Sequence, residues 1–297
     1  MGANLKEVRE RISSVISTQQ ITKAMKMVSA AKLRRAQDAI VQLRPYAAKL
    51  NEILVHILSD LEGDASMVYG KHRQVNKVVI VVVTSSRGLC GAFNSNIIKQ
   101  ALHLANTKYK KQFKAGNVTF LCIGKRGYDY FRKRYPADQV NRDYVLLFQD
   151  LTFEGIIHVP DMIMEGFSQE EFDAVEICYG RFKNAAMQYA ESIQYLPIPT
   201  IKEPEEGKQR RADYIFEPDK QNLLKELVPS ILQTKFHSTL LDTHASEHGA
   251  RMTAMDSATE NADDLLRELR IAYNKARQEA ITREISEIVG GAAALSG

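Results

Sequence analysis

The sequence contains no Trp, only three Cys and few aromatic residues for its 297 residues. Cys90, Cys122 and Cys178 lie far apart without a CxxC pair, so we expect reduced cytosolic thiols and neither a disulfide framework nor a metal site. The longest β-branched run, residues 78–83, is too short to cross a bilayer. No basic-then-apolar leader opens the chain, so we expect no signal peptide, and we expect any membrane association to come through a partner.

Recognisable catalytic and cofactor motifs are also missing. The phosphate-binding pattern GxxxxGK[ST] does not occur. The stretch SRGLCG, which begins at Ser86, joins a predicted strand to a predicted helix, but it has only Gly88 and Gly91 and not three glycines. A tight turn explains these glycines better than a nucleotide site does. Cys90 beside Arg87 is more plausible as a structural thiol than as a nucleophile. We therefore expect no cofactor and no catalytic residue.

Histidines and carboxylates on the C-terminal half could suggest other chemistry. His244 and His248 lie one helical turn apart, with His237 before them, but the HExxH order is absent. We expect solvent-facing or partner-facing histidines and no metal. Glu284 and Glu287 share one helix face, which is more typical of a solvated or partner-contacting surface than of acid–base catalysis.

Positive charge is concentrated at the N-terminus. Residues 1–44 contain nine Lys or Arg and three acids, a net charge of +6, whereas the whole chain has +4. Such a helix could follow a nucleic-acid backbone. However, residues 1–45 contain no aromatic side chain that could stack on bases. A contact with an acidic protein surface is therefore the favoured interpretation, and a coiled-coil scaffold that binds nucleic acid remains an alternative.

Both ends of the chain are predicted to be long helices. Apolar steps of three and four begin at Leu5, and we expect helices over 1–62 and 221–297. Gln19 and Thr22 should interrupt the first stripe, which resumes on a shifted face through three residues. Pro45 should kink the first helix or end one piece of it, with a stop at Gly63. The three residues of the shifted face are Ile21, Met25 and Val28.

The C-terminal helix has a pattern typical of pairing with another helix. Its predicted seam consists of small or apolar residues at alternating steps of four and three, and it resumes nearer the end. A partner of similar length lies at the other end of the chain, so an antiparallel coiled coil is expected. The predicted seam positions are Ala258, Ala262, Leu265, Leu269, Ala272 and Ala276, followed by Ile281, Ile285, Ile288 and Ala292.

The middle of the chain changes period. Buried-type strands alternate with helical segments over residues 75–200, which predicts a Rossmann-like α/β globular domain with a largely parallel sheet. Residues 199–220 are polar and rich in proline, which indicates a linker. The predicted fold class is therefore α/β with long terminal helices, in which an antiparallel coiled coil is combined with one globular domain. An α/β nucleotide-binding protein is a further alternative.

Three separated stretches resemble the gamma subunit of the rotary F-type ATP synthase. The first is ISSVISTQQITKAMKMVSAAKLRRAQ from Ile12, and the second is ITREISEIVGGAAA from Ile281. The third is SSRGLCGAFN from Ser85, where the family usually has an acidic residue in place of Ser86. The order and spacing of the three stretches agree with the family over essentially the whole chain.

The resemblance implies a non-catalytic central shaft. Such a shaft couples proton-driven rotation of a c-ring to ATP synthesis, or to the reverse hydrolysis, on the beta subunits. The implied partners are three alpha and three beta subunits, the epsilon subunit and the c-ring. The implied location is peripheral, at the cytoplasmic face of a bacterial inner membrane. The resemblance further assigns subunit-coupling contacts to Met25, Lys26, Arg251, Arg277, Gln278, Thr282 and Glu284.

Overall fold

The computed structural model describes residues 5–59, 68–70, 73–198 and 220–295. The predicted stop at Gly63 and the predicted linker, apart from Lys220, lie outside these residues. In chain order the helices and strands are α1 (Leu5–Ser59), β1 (Val78–Val83), α2 (Phe93–Thr107), α3 (Lys110–Lys114), β2 (Val118–Ile123), α4 (Lys125–Phe131), β3 (Val140–Asn141), α5 (Phe153–Ile156), α6 (His158–Ser168), β4 (Ala174–Phe182), β5 (Gln188–Leu196) and α7 (Lys220–Leu295).

The strands form one mixed sheet in the order β3-β2-β1-β4-β5. β1 pairs in parallel with β2 on one side and β4 on the other, so that Val81 lies between Leu121 and Ile177. β5 returns antiparallel to β4 and forms one edge of the sheet. A central strand with covered faces requires apolar residues at every position, which VVIVVV supplies. The predicted fold class is confirmed, although the two-residue strand β3 was not anticipated.

Alternate residues of β1 enter two separate cores. Val79, Val81 and Val83 pack in a cluster with α6 and with the first part of α7, to which Phe167 and Phe236 belong. The other residues of β1 face a second cluster, which includes residues of α2 and α4. Because β-strand side chains alternate between faces, one apolar run supplies both cores.

Two compact units divide the described chain, and each long helix contributes to both. The first unit comprises residues 5–29 and 251–295, and the second comprises residues 30–250. Pro45 lies inside α1 without ending it, so the prediction that one helical piece ends there is wrong, and the alternative of a kink stays a prediction. Ile40 and Leu50, which are buried on either side of Pro45, hold the helix by packing despite the one lost backbone hydrogen bond. No described helix is long and apolar enough to cross a membrane.

A partly buried ion pair fastens the segment before β1 to the sheet. The Arg73 guanidinium donates to Asp173 at 2.6 Å and to the Phe167 carbonyl at 3.0 Å, and it lies over the Phe167 ring at 4.6 Å. The same carboxylate accepts from the backbone N–H groups of Asn76 and Lys77 at 2.8 and 2.9 Å. Burial disfavours the charged form of Asp173, but these donors together hold its pKa below the ordinary value.

Candidate functional site

The first unit is an antiparallel helix pair whose register is fixed by polar contacts. Over the 17 residues from Lys26 back to Arg9 on α1, α7 advances by the same 17 residues, from Asp256 to Tyr273. The contacts join polar side chains at four levels of the pair. From the middle of the chain outward they are Lys26 with Asp256, Thr22 with Thr259 at 2.9 Å, Gln19 with Asp263, and Arg9 with Tyr273 at 3.0 Å.

The seam of α1 keeps one face along the whole helix. Thr22 and Ser29 are buried at the same heptad position as Val8, and Gln19 and Lys26 are half-buried between them. The prediction that the stripe shifts to a new face is wrong, because Ile21 and Val28 are exposed. Polar residues occupy the inner positions because their side chains find partners across the seam. The exposed fraction of Ile21 is 59%.

In the paired part of α7, the observed seam differs by one residue from half of the predicted seam positions. Leu266 is 5% exposed, whereas the neighbouring Leu265 is 44% exposed. Ala262, Leu269 and Ala276 were predicted correctly. The other three positions are displaced by one residue, and at two of them Thr259 and Tyr273 contact polar side chains of α1. The observed seam consists of Met255, Thr259, Ala262, Leu266, Leu269, Tyr273 and Ala276.

The end of α7 extends beyond its partner helix. Arg9 lies opposite Tyr273, so Leu5, the first described residue of α1, lies near the level of Arg277. From there α7 continues to Leu295, a length of about 27 Å at about 1.5 Å per residue. No described residue of α1 therefore reaches the predicted second part of the seam. Ile281, Ile285, Ile288 and Ala292 are all exposed, and the exposed fraction of Ile288 is 70%.

Three of the predicted coupling residues belong to the region where the helices pair. Met25 is half-buried on α1. Lys26 is ion-paired with Asp256, a residue that the sequence reasoning did not single out. Arg251 is buried on α7. An acid opposite a base in an antiparallel register is the signal that could have identified Asp256.

The other four predicted coupling residues lie on the single-helix extension. Arg277, Gln278, Thr282 and Glu284 are all exposed on α7. The Thr282 hydroxyl donates to the Gln278 carbonyl at 2.9 Å, so these two residues form a local contact one turn apart. The structure thus separates the seven predicted residues into a paired group and an extended group.

The strand-to-helix turn after β1 is held by its own side chains. The side-chain NH₂ of Asn94 donates to the Ser85 hydroxyl at 2.8 Å and to the Cys90 sulfur at 3.2 Å. The Ser85 backbone N–H donates to the side-chain oxygen Oδ1 of Asn94 at 2.9 Å. Gly91 and Leu89 both have a positive φ, which tightens the turn. Cys90 is buried. The polar groups of the turn are thus used within it.

The histidines of α7 are packed inside the second unit. The Nε2 atoms of His244 and His248 lie 3.1 Å apart, and the Phe148 ring stacks on His244. His237 Nε2 donates to the Leu151 carbonyl at 3.1 Å, and burial lowers the pKa of His237. The expectation of solvent-facing histidines is wrong for His248, which is buried, whereas His237 and His244 are half-buried and a partner-facing role for them stays a prediction. In the described part of the chain, no three His, Cys, Asp or Glu side chains are grouped as a metal ion requires.

Comparison with known proteins identifies relatives along the full length of the chain. A family model described as ATP synthase matches residues 4–295. The ATP synthase gamma chain of Cytophaga hutchinsonii is 51% identical over 294 residues, covering 99% of each chain. The ATP synthase gamma chain of Flavobacterium johnsoniae is 49% identical, covering 99% of this chain and 100% of its own.

Solved structures share the fold. A chain of the Euglena gracilis mitochondrial ATP synthase, from an assembly of OSCP, F1 and c-ring, aligns with a TM-score of 0.64 at 21% identity, covering 98% of this chain and 94% of its own. A chain from the rotor of the same enzyme aligns with a TM-score of 0.59. Taken with the relatives near 50% identity, these matches show that the chain belongs to the ATP synthase gamma-chain family.

Proposed function

We propose that this chain is the central rotor shaft of an F-type ATP synthase. It couples proton-driven rotation of a c-ring to ATP synthesis on the beta subunits, and hydrolysis can drive the reverse. The observation that carries the proposal is the fixed register of α1 and α7 in the first unit. The polar contacts from Arg9–Tyr273 to Lys26–Asp256 resist sliding of one helix along the other. Family membership supports the same function.

A shaft of this kind must be uneven around its axis. Two helices of different sequence give a cross-section that has no rotational symmetry. Where the helices pair, opposite sides of the shaft present different residues, and beyond Arg277 α7 is the only one of the two helices that is described. Rotation therefore brings a different surface to each surrounding subunit in turn. A symmetric rod could not bias the subunits in sequence, because each would meet the same surface.

The chain itself is proposed to be non-catalytic. The turn after β1 uses Ser85, Cys90 and Asn94 for contacts with one another. Burial raises the pKa of the Cys122 thiol to about 12 and raises that of Cys178 as well, so both thiols stay protonated near neutral pH. These features support a structural role for Ser85, Asn94 and the cysteines, which are the side chains here that most resemble catalytic groups.

The proposed partners are three alpha and three beta subunits, an epsilon subunit and the c-ring. The chain is a peripheral, membrane-associated subunit of this complex. Its proposed place is the cytoplasmic face of a bacterial inner membrane, which is supported by the bacterial sources of the relatives described above.

Reconstitution tests the proposal. Alpha and beta subunits are mixed with or without this chain, and ATP hydrolysis and complex mass are measured. We expect a complex with three alpha, three beta and one copy of this chain, with hydrolysis that depends on the chain. Absence of the complex, together with nucleotide turnover by the chain alone, would contradict the proposal.

Rotation can then be observed directly. The native cysteines Cys90, Cys122 and Cys178 are buried and unsuited to labelling. Lys99 is exposed on α2, so Lys99→Cys supplies an accessible thiol. A bead attached there should turn in one direction during ATP hydrolysis, and a bead that only fluctuates would contradict the rotor function.

A further inference from the structure

The α/β domain contains a second concentration of positive charge. Residues 108–134 include nine Lys or Arg and a single acid, Asp129, which gives this stretch a net charge of +8 against +4 for the whole chain. It is separate from the positive charge of the N-terminal helix. This second concentration belongs to α3, α4 and their flanks in the second unit.

The fold brings the two ends of this stretch together. Phe113 of α3 lies 5.8 Å from Tyr135, just after α4, and 6.2 Å from Phe120 of β2. Phe131 of α4 stacks on Phe120 at 4.3 Å. The segments that carry these rings also carry six exposed cations near the amino end of β2. We call them the α3–α4 basic face: Lys110, Lys111, Lys114, Arg132, Lys133 and Arg134.

Most of this charge is not neutralised within the described chain. Arg132 pairs with Asp129 at 2.8 Å, and it is the only member of the face with an ion pair to a described carboxylate. The Arg134 guanidinium lies 3.9 Å from the centre of the Tyr130 ring. Like charges on one face repel one another, so an anionic partner would relieve the repulsion.

We propose that the α3–α4 basic face binds anionic phospholipid headgroups at the membrane surface. In residues 110–134, all of which are described, there is no exposed large apolar side chain. The face therefore lacks the apolar centre that stable protein–protein interfaces have. Clusters of Lys and Arg beside Tyr rings are typical of contacts with anionic headgroups. A fluid lipid surface also permits rotation, since lipids exchange while charge attraction persists.

This inference rests on the proposed function, which places the chain in a membrane-bound complex. Membrane contact was expected only through partners, because the sequence has no segment that could span a bilayer. An electrostatic surface contact needs no such segment, and it adds to the contacts that partner subunits make.

The experiment uses the reconstituted complex with alpha and beta subunits. It is mixed with phosphatidylcholine vesicles, or with vesicles containing about one-third phosphatidylglycerol, and the bound fraction is measured by sedimentation. Each cation near an anionic surface strengthens binding about five-fold, so Lys110→Gln, Lys111→Gln and Lys133→Gln together should weaken it about 100-fold. Binding should fall with salt and should be absent without phosphatidylglycerol.

A matched control removes the same charge elsewhere. Lys99→Gln, Lys125→Gln and Lys183→Gln also neutralise three exposed lysines, but none belongs to the basic face. This variant should bind vesicles much more strongly than the basic-face variant. Equal losses, or no loss in the basic-face variant, would overturn the proposal.

Further measurements distinguish failure of the lipid proposal from failure of the proposed function. If polyglutamate binds through the basic face while the vesicles do not, the partner is an acidic protein and the lipid proposal is overturned. ATP hydrolysis and complex mass are measured first in every preparation. If the wild-type complex hydrolyses ATP but does not bind phosphatidylglycerol vesicles, this inference alone is contradicted, whereas failure to assemble contradicts the proposed function.

Discussion

The ammonium group of Lys26 on α1 is ion-paired with the carboxylate of Asp256 on α7. Both side chains are partly exposed, at 39% and 47%, so solvent screens the attraction. Lys26 is also one of the predicted coupling contacts with the surrounding subunits. The pair therefore raises the question of whether this lysine serves the shaft itself, its partners, or both.

Exchanging the two charges separates these roles. Lys26→Glu places two carboxylates opposite each other and should lower the free energy of unfolding by about 0.5–1 kcal/mol. Adding Asp256→Lys should recover most of that loss, as measured by urea unfolding of the chain. If Lys26 also contacts the beta subunits, the double variant should still pump fewer protons per ATP hydrolysed. Wild-type pumping in the double variant would confine Lys26 to holding the helices together.

Met25→Lys tests a second predicted coupling contact. Met25 is half-buried beside the helix pair, and an added cation there should disturb a partner surface more than it disturbs folding. We expect proton pumping per ATP hydrolysed to fall while the urea midpoint of the chain changes little. Met27→Lys is the control, because Met27 is exposed and two residues away. An equal effect of both substitutions on pumping would reject a specific role for Met25.

Two neighbouring leucines test the register of the helix pair. Leu266 is buried in the seam and Leu265 is not. Leu266→Ala should cost about 2–4 kcal/mol of unfolding free energy, because it removes buried methyl groups and leaves a cavity. Leu265→Ala should cost less than about 1 kcal/mol. The values come from urea unfolding of the isolated chain followed by circular dichroism, and the reverse order would mean that α7 is rotated from its described position.

Asp173 should give the second unit a stability that depends on pH. Asp173→Asn weakens the contacts with Arg73 and with two backbone N–H groups, and near neutral pH it should cost about 2 kcal/mol. The folded-state pKa of Asp173 lies below its ordinary value. The stabilisation is therefore complete above the unfolded pKa of 3.8 and is lost as the pH falls through the lower folded value.

The measurement compares urea unfolding of the wild type and Asp173→Asn between about pH 7 and pH 3. Their difference should stay constant down to about pH 5 and shrink below about pH 4. Asp138→Asn changes an exposed carboxylate and should have little effect at any pH. A difference that grows as the pH falls would contradict the lowered pKa of Asp173.

The sequence predicted the elements of this fold better than the faces they bury. Strand β1 and both long helices could be identified because β-branched runs and heptad spacing leave strong patterns. The seam near Thr22 could not be identified from apolar spacing, because Thr22 is buried by a hydroxyl contact with Thr259. Only the partner's position reveals that such a polar residue is satisfied.

The candidate site was predicted in part for the same reason. The exposed stretch from Arg277 to Glu284 could be assigned by its resemblance to a family motif. The pairing of Lys26 with Asp256 depends on residues 230 positions apart, and no local pattern encodes that distance. The packing of His244 against Phe148 is likewise a tertiary contact, so a helical spacing of histidines could not predict it.

The unbroken seven-residue repeat of α1 has a mechanical consequence. A helix with 3.6 residues per turn can keep a seven-residue seam in contact with a partner only by winding around it in a left-handed supercoil. The winding of the two helices in the first unit therefore has one hand. Twisting the pair in the left-handed sense winds the two helices more tightly around each other, and twisting it in the opposite sense unwinds them. Its torsional stiffness therefore differs between the two directions of rotation, even though the residues in contact are the same.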